Sequence, residues 1–140
     1  SFIYDVVLID MTHILNEINV FALDFCDMAL VVTTNCPMDL KNTRNLVTLF
    51  ENLNIHKYRI LLNESINPLK QYFSLYDIKN IIKTNIDYHI STEFYLTDIE
   101  KEIMKGKIIT LDSKTIKHYQ NDYTALLNMA ADIVGGNNNE

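Results

Sequence analysis

The 140 residues are enough for one domain with a sizeable core, and 48% hydrophobic against 21% charged residues is the balance of a soluble globular chain. A net charge of −6 with scattered cations argues against a nucleic-acid backbone as direct ligand. No apolar run is long enough to cross a bilayer, the N-terminus lacks the basic stretch of a secretory signal, and Cys26 and Cys36 fit no zinc or Cys-x-x-Cys spacing, so free thiols in the reducing cytoplasm are expected.

The first element is the run Tyr4-Asp5-Val6-Val7-Leu8-Ile9-Asp10. It is apolar, rich in β-branched residues and closes on a carboxylate, which reads as a strand buried on both faces of a parallel sheet. A buried-type strand so near the first residue is expected to follow preceding sequence, the alternative being a modest edge strand at a true start. Ligands of such sheets gather at the carboxyl ends of the strands. Asp10 therefore either faces a ligand or caps the turn that follows. After Met11-Thr12-His13, residues Ile14, Leu15, Ile18, Phe21, Ala22 and Phe25 recur at helical spacing and mark one apolar face.

Residues 28–32 form a second buried-type strand closing on Thr33-Thr34-Asn35. Cys36-Pro37 allows a helix to begin, with Asp39 in its first turn, where a negative charge suits the helix dipole. Leu40, Thr43, Val47, Phe50 and Leu53 carry that helix onward, and Asn54 stands where a C-terminal cap is expected. The third strand, 58–62, ends at Asn63-Glu64. A loop over 65–73 around Pro68 precedes Ser74-Leu75-Tyr76-Asp77, serine with a carboxylate three residues on, the pattern of a capping box. The helix behind it buries Leu75, Ile78, Ile81 and Ile82.

The fourth strand, 86–90, ends at Ser91-Thr92. Thr97 caps a short helix that stops near Gly106, and 108–111 is an extended connector. Ser113 caps a long last helix with Ile116, Tyr119, Tyr123, Leu126, Leu127, Ala130 and Val134 inward, ended by Gly135-Gly136 before a polar tail. Strands alternating with helices predict an α/β domain, three α/β/α layers around a mainly parallel sheet, over residues 1–134, with 135–140 as tail. Asp10, Thr33-Thr34, Asn63 and Ser91-Thr92 then share one sheet edge. A carboxylate there suits a Mg2+ shell or a water-orienting role, and an asparagine amide can read a purine edge. Equally, strand-end polar groups satisfy turn backbone. His13, His56, His89 and His118 form no metal-ligand spacing.

The run 4–10, the spacing from Asp10 to Asp27-Met28-Ala29-Leu30-Val31-Val32-Thr33-Thr34, and Pro37 with its helix resemble the second half of a MinD/ParA-type ATPase, a deviant-Walker-A branch of the P-loop class. Tyr58-Arg59-Ile60-Leu61-Leu62-Asn63 is similar to that family's later strand ending in Asn. Ser74-Leu75-Tyr76-Asp77-Ile78 and the Gly106 region resemble the CpaE and TadZ branch, which serves pilus assembly and polar placement. The resemblance implies ATP and Mg2+ as cofactors. It implies Asp10 as the switch II aspartate near Mg2+, directly or through water, and near the γ-phosphate. It implies Asn63 as the adenine reader, with Ser91 and Thr92 beside the base. It further implies a homodimer in the full protein, pilus, secretion or cell-division proteins as partners, and recruitment to the cell pole or the inner face of the membrane.

The sequence departs from the pattern in three places. Asp10-Met11-Thr12-His13-Ile14 lacks the proline and glycine of the family's switch. Glu64 follows Asn63 where a basic or small residue is common. The glycines, Gly106, Gly135 and Gly136, build no phosphate loop, which needs consecutive backbone N–H groups at a helix start and a lysine. ATPase activity is thus expected only with a phosphate loop supplied from upstream. The alternative is a degenerate, non-hydrolysing scaffold for localisation and assembly. A response-regulator receiver, to which Asp5-Val6-Val7-Leu8-Ile9-Asp10-Met11 also bears a resemblance, lacks its earlier acidic strand here.

Overall fold

The computed structural model describes residues 3–12, 17–64, 73–95 and 99–135. Their elements run α1 (Glu17–Phe25), β1 (Ala29–Thr33), α2 (Pro37–Asn52), β2 (Tyr58–Asn63), α3 (Leu75–Ile82), β3 (Tyr88–Ile90), α4 (Ile99–Met104), α5 (Ser113–His118) and α6 (Gln120–Gly135), with 3-10 turns at Thr92–Tyr95 and Ile109–Leu111. The three strands pair in parallel in the order β1-β2-β3. Thr33 lies opposite Leu62, and Asn63 opposite Ile90, so the strand ends fall along one edge.

Because side chains alternate along a strand, β2 sends Ile60 and Leu62 to one face and Leu61 to the other. On the first face Ile60 and Leu62 join Leu40 and Val47 of α2 and Ile78 and Ile82 of α3, none more than 1% exposed. On the second, Leu61, Tyr88 and Ile90 pack with Leu30, Phe94 and the α6 residues Leu126 and Met129. Helices thus cover both faces of a parallel sheet, the α/β architecture expected.

Local signals explain most of the boundaries. Pro37 opens α2 and Asp39 sits in its first turn. Asn54, at φ 55, takes the left-handed conformation just past its end, although Leu53, expected inward, is half exposed. Ser74 and Asp77 form the full capping box at the start of α3: the Ser74 hydroxyl accepts from Asp77 N–H and the Asp77 carboxylate accepts from Ser74 N–H. Leu75, the first residue of that helix, faces outward and is 43% exposed. Gly106, at φ 75, follows α4 in the left-handed region that glycine adopts without strain.

Five expectations change. Residues 4–10 form no strand, and Tyr4, Val7, Leu8 and Ile9 are 60–80% exposed. A central strand needs pairing on both edges, and this run has no strand beside it among the described residues. On the side of α1 expected inward, Phe21 and Phe25 stack on each other, ring centroids 4.6 Å apart, and both are exposed. Residues 109–111 coil into a 3-10 turn instead of an extended connector. The long last helix divides at Tyr119, whose backbone leaves helical geometry (φ −112, ψ 50). The Tyr119 ring meets Phe94 edge-on at 5.6 Å. The cap of α5 is Asp112, whose carboxylate accepts from Thr115 N–H, so Ser113 is the first helical residue and not the cap. His13, Ile14, Leu15, the segment 65–72 with Pro68, Thr97 and the tail from Gly136 lie outside the described residues.

Candidate functional site

The carboxyl edge of the sheet is built from three strand ends and the start of α6. At β1, the buried Thr33 hydroxyl accepts from Thr43 of α2 at 2.8 Å. Thr34 donates to Asp39 at 2.5 Å and accepts from Cys36 N–H at 3.1 Å. These bonds join β1 to α2 and fix the turn between them.

The denser cluster lies at β2 and β3. Glu64 N–H donates to the Ile90 carbonyl, extending the parallel ladder one residue past Asn63. The Glu64 carboxylate, only 12% exposed, then reaches across to the end of β3. Its Oε2 accepts from the Thr92 N–H at 3.0 Å and the Thr92 hydroxyl at 2.8 Å, and Oε1 lies 2.9 Å from His89 Nε2. Burial pushes the Glu64 pKa up, but hydrogen bonds from the Thr92 hydroxyl, the Thr92 N–H and His89 more than offset it, and the net result is a carboxyl held below its ordinary value. On the other side of the same turn, Asp122 in the first turn of α6 is buried. It accepts from Ser91 N–H at 2.6 Å and from the Ser91 hydroxyl at 3.2 Å.

The structure therefore brings Asn63, Ser91 and Thr92 together at one edge, as their strand-end positions imply. Asp10 is exposed and belongs to no strand. The sequence reading did not single out Asp122, and treated Glu64 only as a departure from a pattern. A strand-end carboxylate followed by polar residues on the next strand was the available signal for Glu64. Asp122 sat inside an apolar stripe, Tyr119 to Leu126, where a lone acidic residue is the one to question.

The chemistry of this edge is one-sided. The backbone donors that a phosphate would need, Ser91 N–H and Thr92 N–H, already point at carboxylates. Two acidic side chains would repel a phosphate further. A phosphate with its Mg2+ does not suit these groups, and no step of hydrolysis follows from them. Among the described residues no group of three or more His, Cys, Asp and Glu side chains is arranged to hold a metal ion, and no helix is long and apolar enough to cross a membrane.

No family model and no curated protein matches the chain. Among solved structures, a chain of the MinC:MinD cell division protein complex of Aquifex aeolicus superposes with a TM-score of 0.63 at 20% identity. The match covers 86% of this chain and 48% of that one, so the chain spans about half the length of its structural neighbour. The likeness shows a MinD-like α/β fold.

Proposed function

We propose that this chain is part of an ATP-binding MinD/ParA-like protein that positions or assembles a cellular apparatus, and that it supplies the adenine-side wall of the nucleotide site. The observation that carries the reading is the Asn63-Glu64 and Ser91-Thr92 cluster. Polar groups from two adjacent parallel strands converge at the sheet edge where α/β folds bind ligands, in a fold like that of a chain from a division complex. In this reading Asn63 faces the base, Ser91 and Thr92 flank it, and Asp10 approaches Mg2+ once a phosphate loop from elsewhere in the full-length protein completes the site. The resemblance to CpaE and TadZ proteins favours a pilus or secretion apparatus, and the structural neighbour favours cell division. In either setting the full protein would be a homodimer recruited to the pole or the inner face of the membrane.

A second reading, a non-hydrolysing scaffold that keeps the fold, is favoured by the switch-like segment, Asp10-Met11-Thr12-His13, which lacks proline and glycine. Calorimetry of the full-length gene product with ATP and Mg2+ separates the two. Saturable binding of ATP in preference to GTP supports the nucleotide reading, and absence of heat with either nucleotide leaves the scaffold. Asn63→Ala should reduce the preference for ATP over GTP about tenfold, the value of one lost bidentate contact. Equal affinities for the two nucleotides before and after the change would remove Asn63 from the role.

A further inference from the structure

The helices α2 and α6 are both sixteen residues long and pack on the sheet, one on each face. α2 buries Leu40, Thr43, Val47 and Phe50. In α6 the one fully buried residue is a carboxylate, Asp122. Leu126 and Met129, which meet the sheet, are only partly buried, and Leu127 and Val134 are more than half exposed.

What fastens α6 is therefore largely directional. Near its start Asp122 accepts from both donors of Ser91, the N–H at 2.6 Å and the hydroxyl at 3.2 Å. Near its end Asp132 accepts from the Tyr88 hydroxyl at 2.5 Å. Water replaces such bonds when the partners separate, so their net value is small. Buried apolar contact has no such substitute. The chain also changes character where α6 begins. Tyr119 leaves helical geometry, and α5 before it has its own cap, Asp112 on Thr115 N–H. That cap does not depend on α6.

We propose that α6 is a latch on β3, which undocks as one unit about Tyr119 while the sheet, α2 and α3 stay folded. Elements with few buried apolar contacts are those that open locally. Docked, α6 covers Leu61, Tyr88 and Ile90, and Asp122 holds both Ser91 donors. Undocked, that apolar face is open and the Ser91 N–H is released at the carboxyl edge of the sheet. Thr92, the next residue, does not belong to the latch. Its N–H and hydroxyl are held by Glu64, which itself continues the β2–β3 ladder. Two successive backbone N–H groups are thus fastened by different parts of the fold, one by a helix and one by the sheet. The latch is independent of what the edge binds.

The test is residue-resolved hydrogen exchange of the full-length gene product by NMR, at several low urea concentrations, with rates corrected for intrinsic exchange. The hydrogen-bonded amides of α6 should share one opening and exchange at least tenfold faster than those of Val47 and Phe50 in α2. Their rates should rise less steeply with urea, because undocking exposes less surface than unfolding. The Ser91 N–H should exchange with the α6 group, and the Thr92 N–H at least tenfold more slowly. Equal rates and equal urea dependence in α6 and α2 would mean that the helix opens only with the whole molecule, and would overturn the latch. Rates graded from the Gly135 end, with the amides near Leu126 as slow as those of α2, would mean simple fraying and overturn it as well. So would Ser91 and Thr92 exchanging together, since Asp122 would then not be the group that holds Ser91.

Discussion

The two faces of the sheet are held by different physics. Under α2 and α3 the packing is mainly apolar: Leu40, Val47, Ile60, Leu62, Ile78 and Ile82 are sealed, with the Phe50 ring 5.1 Å from that of Tyr58. Under α6 the apolar contact is small, and the helix is pinned near both ends by carboxylates, Asp122 on Ser91 and Asp132 on the Tyr88 hydroxyl at 2.5 Å. The pins are ten residues apart, about 15 Å of helix, and Leu126 and Met129 sit between them. Toward β1 this second face opens, so that Val32, opposite Leu61 in the ladder, is 58% exposed. One face is fixed by volume, the other by a few directional bonds. The directional face is the one that carries the candidate site, where Asp122 meets Ser91 and Glu64 meets Thr92.

The sharpest way to break this comparison is to remove volume from each face. Leu62→Ala, on the sealed side, should cost about 2–5 kcal/mol, transfer plus cavity, because α2 and α3 cannot both collapse into the gap. Val32→Ala, on the open side, should cost less than about 0.5 kcal/mol, as at other exposed positions. Urea unfolding of both variants with an unchanged denaturant slope is the measurement. Similar losses at the two positions would mean that Val32 is covered in solution and that the two faces are alike.

The sealed face was legible in the sequence and the pinned face was not. β1, β2 and β3 announced themselves as short runs closing on polar residues between helical segments, and the Ser74–Asp77 capping box is formed as its spacing implies, because these signals are local. Residues 4–10 carry the same local signal and yet form no strand. What a run becomes depends on whether a partner strand lies beside it, and no window of sequence contains that information. The break at Tyr119 is of the same kind: helical periodicity runs through it, and contacts with Phe94 and His118 rings hold the side chain where the helix turns. Asn63, Ser91 and Thr92 could be grouped in advance because parallel pairing puts strand ends on one edge. Asp122 could not, because it reaches that edge from a helix thirty-one residues along the chain from Ser91.

The pins can be removed singly, with smaller effects. Asp122→Ala leaves the Ser91 N–H and hydroxyl without their acceptor in a buried place, and should cost about 1–3 kcal/mol, the penalty of an orphaned buried donor. Hydrogen exchange gives the more telling readout. The loss should appear first as faster exchange in α6, with α2 and α3 still protected, if the two faces hold independently. Uniform loss of protection would show that the pins and the sealed core open as one unit.

The second pin adds a pH signature that the sealed face lacks. Burial, then the hydrogen bond to Asp132 and the nearby carboxylate charge, push the Tyr88 phenol up to about 12 from its ordinary 10.0. A group that holds its proton more tightly when folded contributes fully below the unfolded value and loses that contribution as the pH rises through the folded one. The Tyr88 contribution should therefore be constant up to about pH 10 and fade between there and about pH 12. Tyr88→Phe, which keeps the ring and removes the hydroxyl, should cost only about 0.5–1.5 kcal/mol near neutrality, the net value of one hydrogen bond. Unfolding midpoints of the two proteins should converge as the pH is raised from 9 to 11.5 or so, since the variant has no phenol to lose. A gap that stays constant across that range would show that Asp132 does not hold the phenol proton, and that α6 is pinned at its Asp122 end alone.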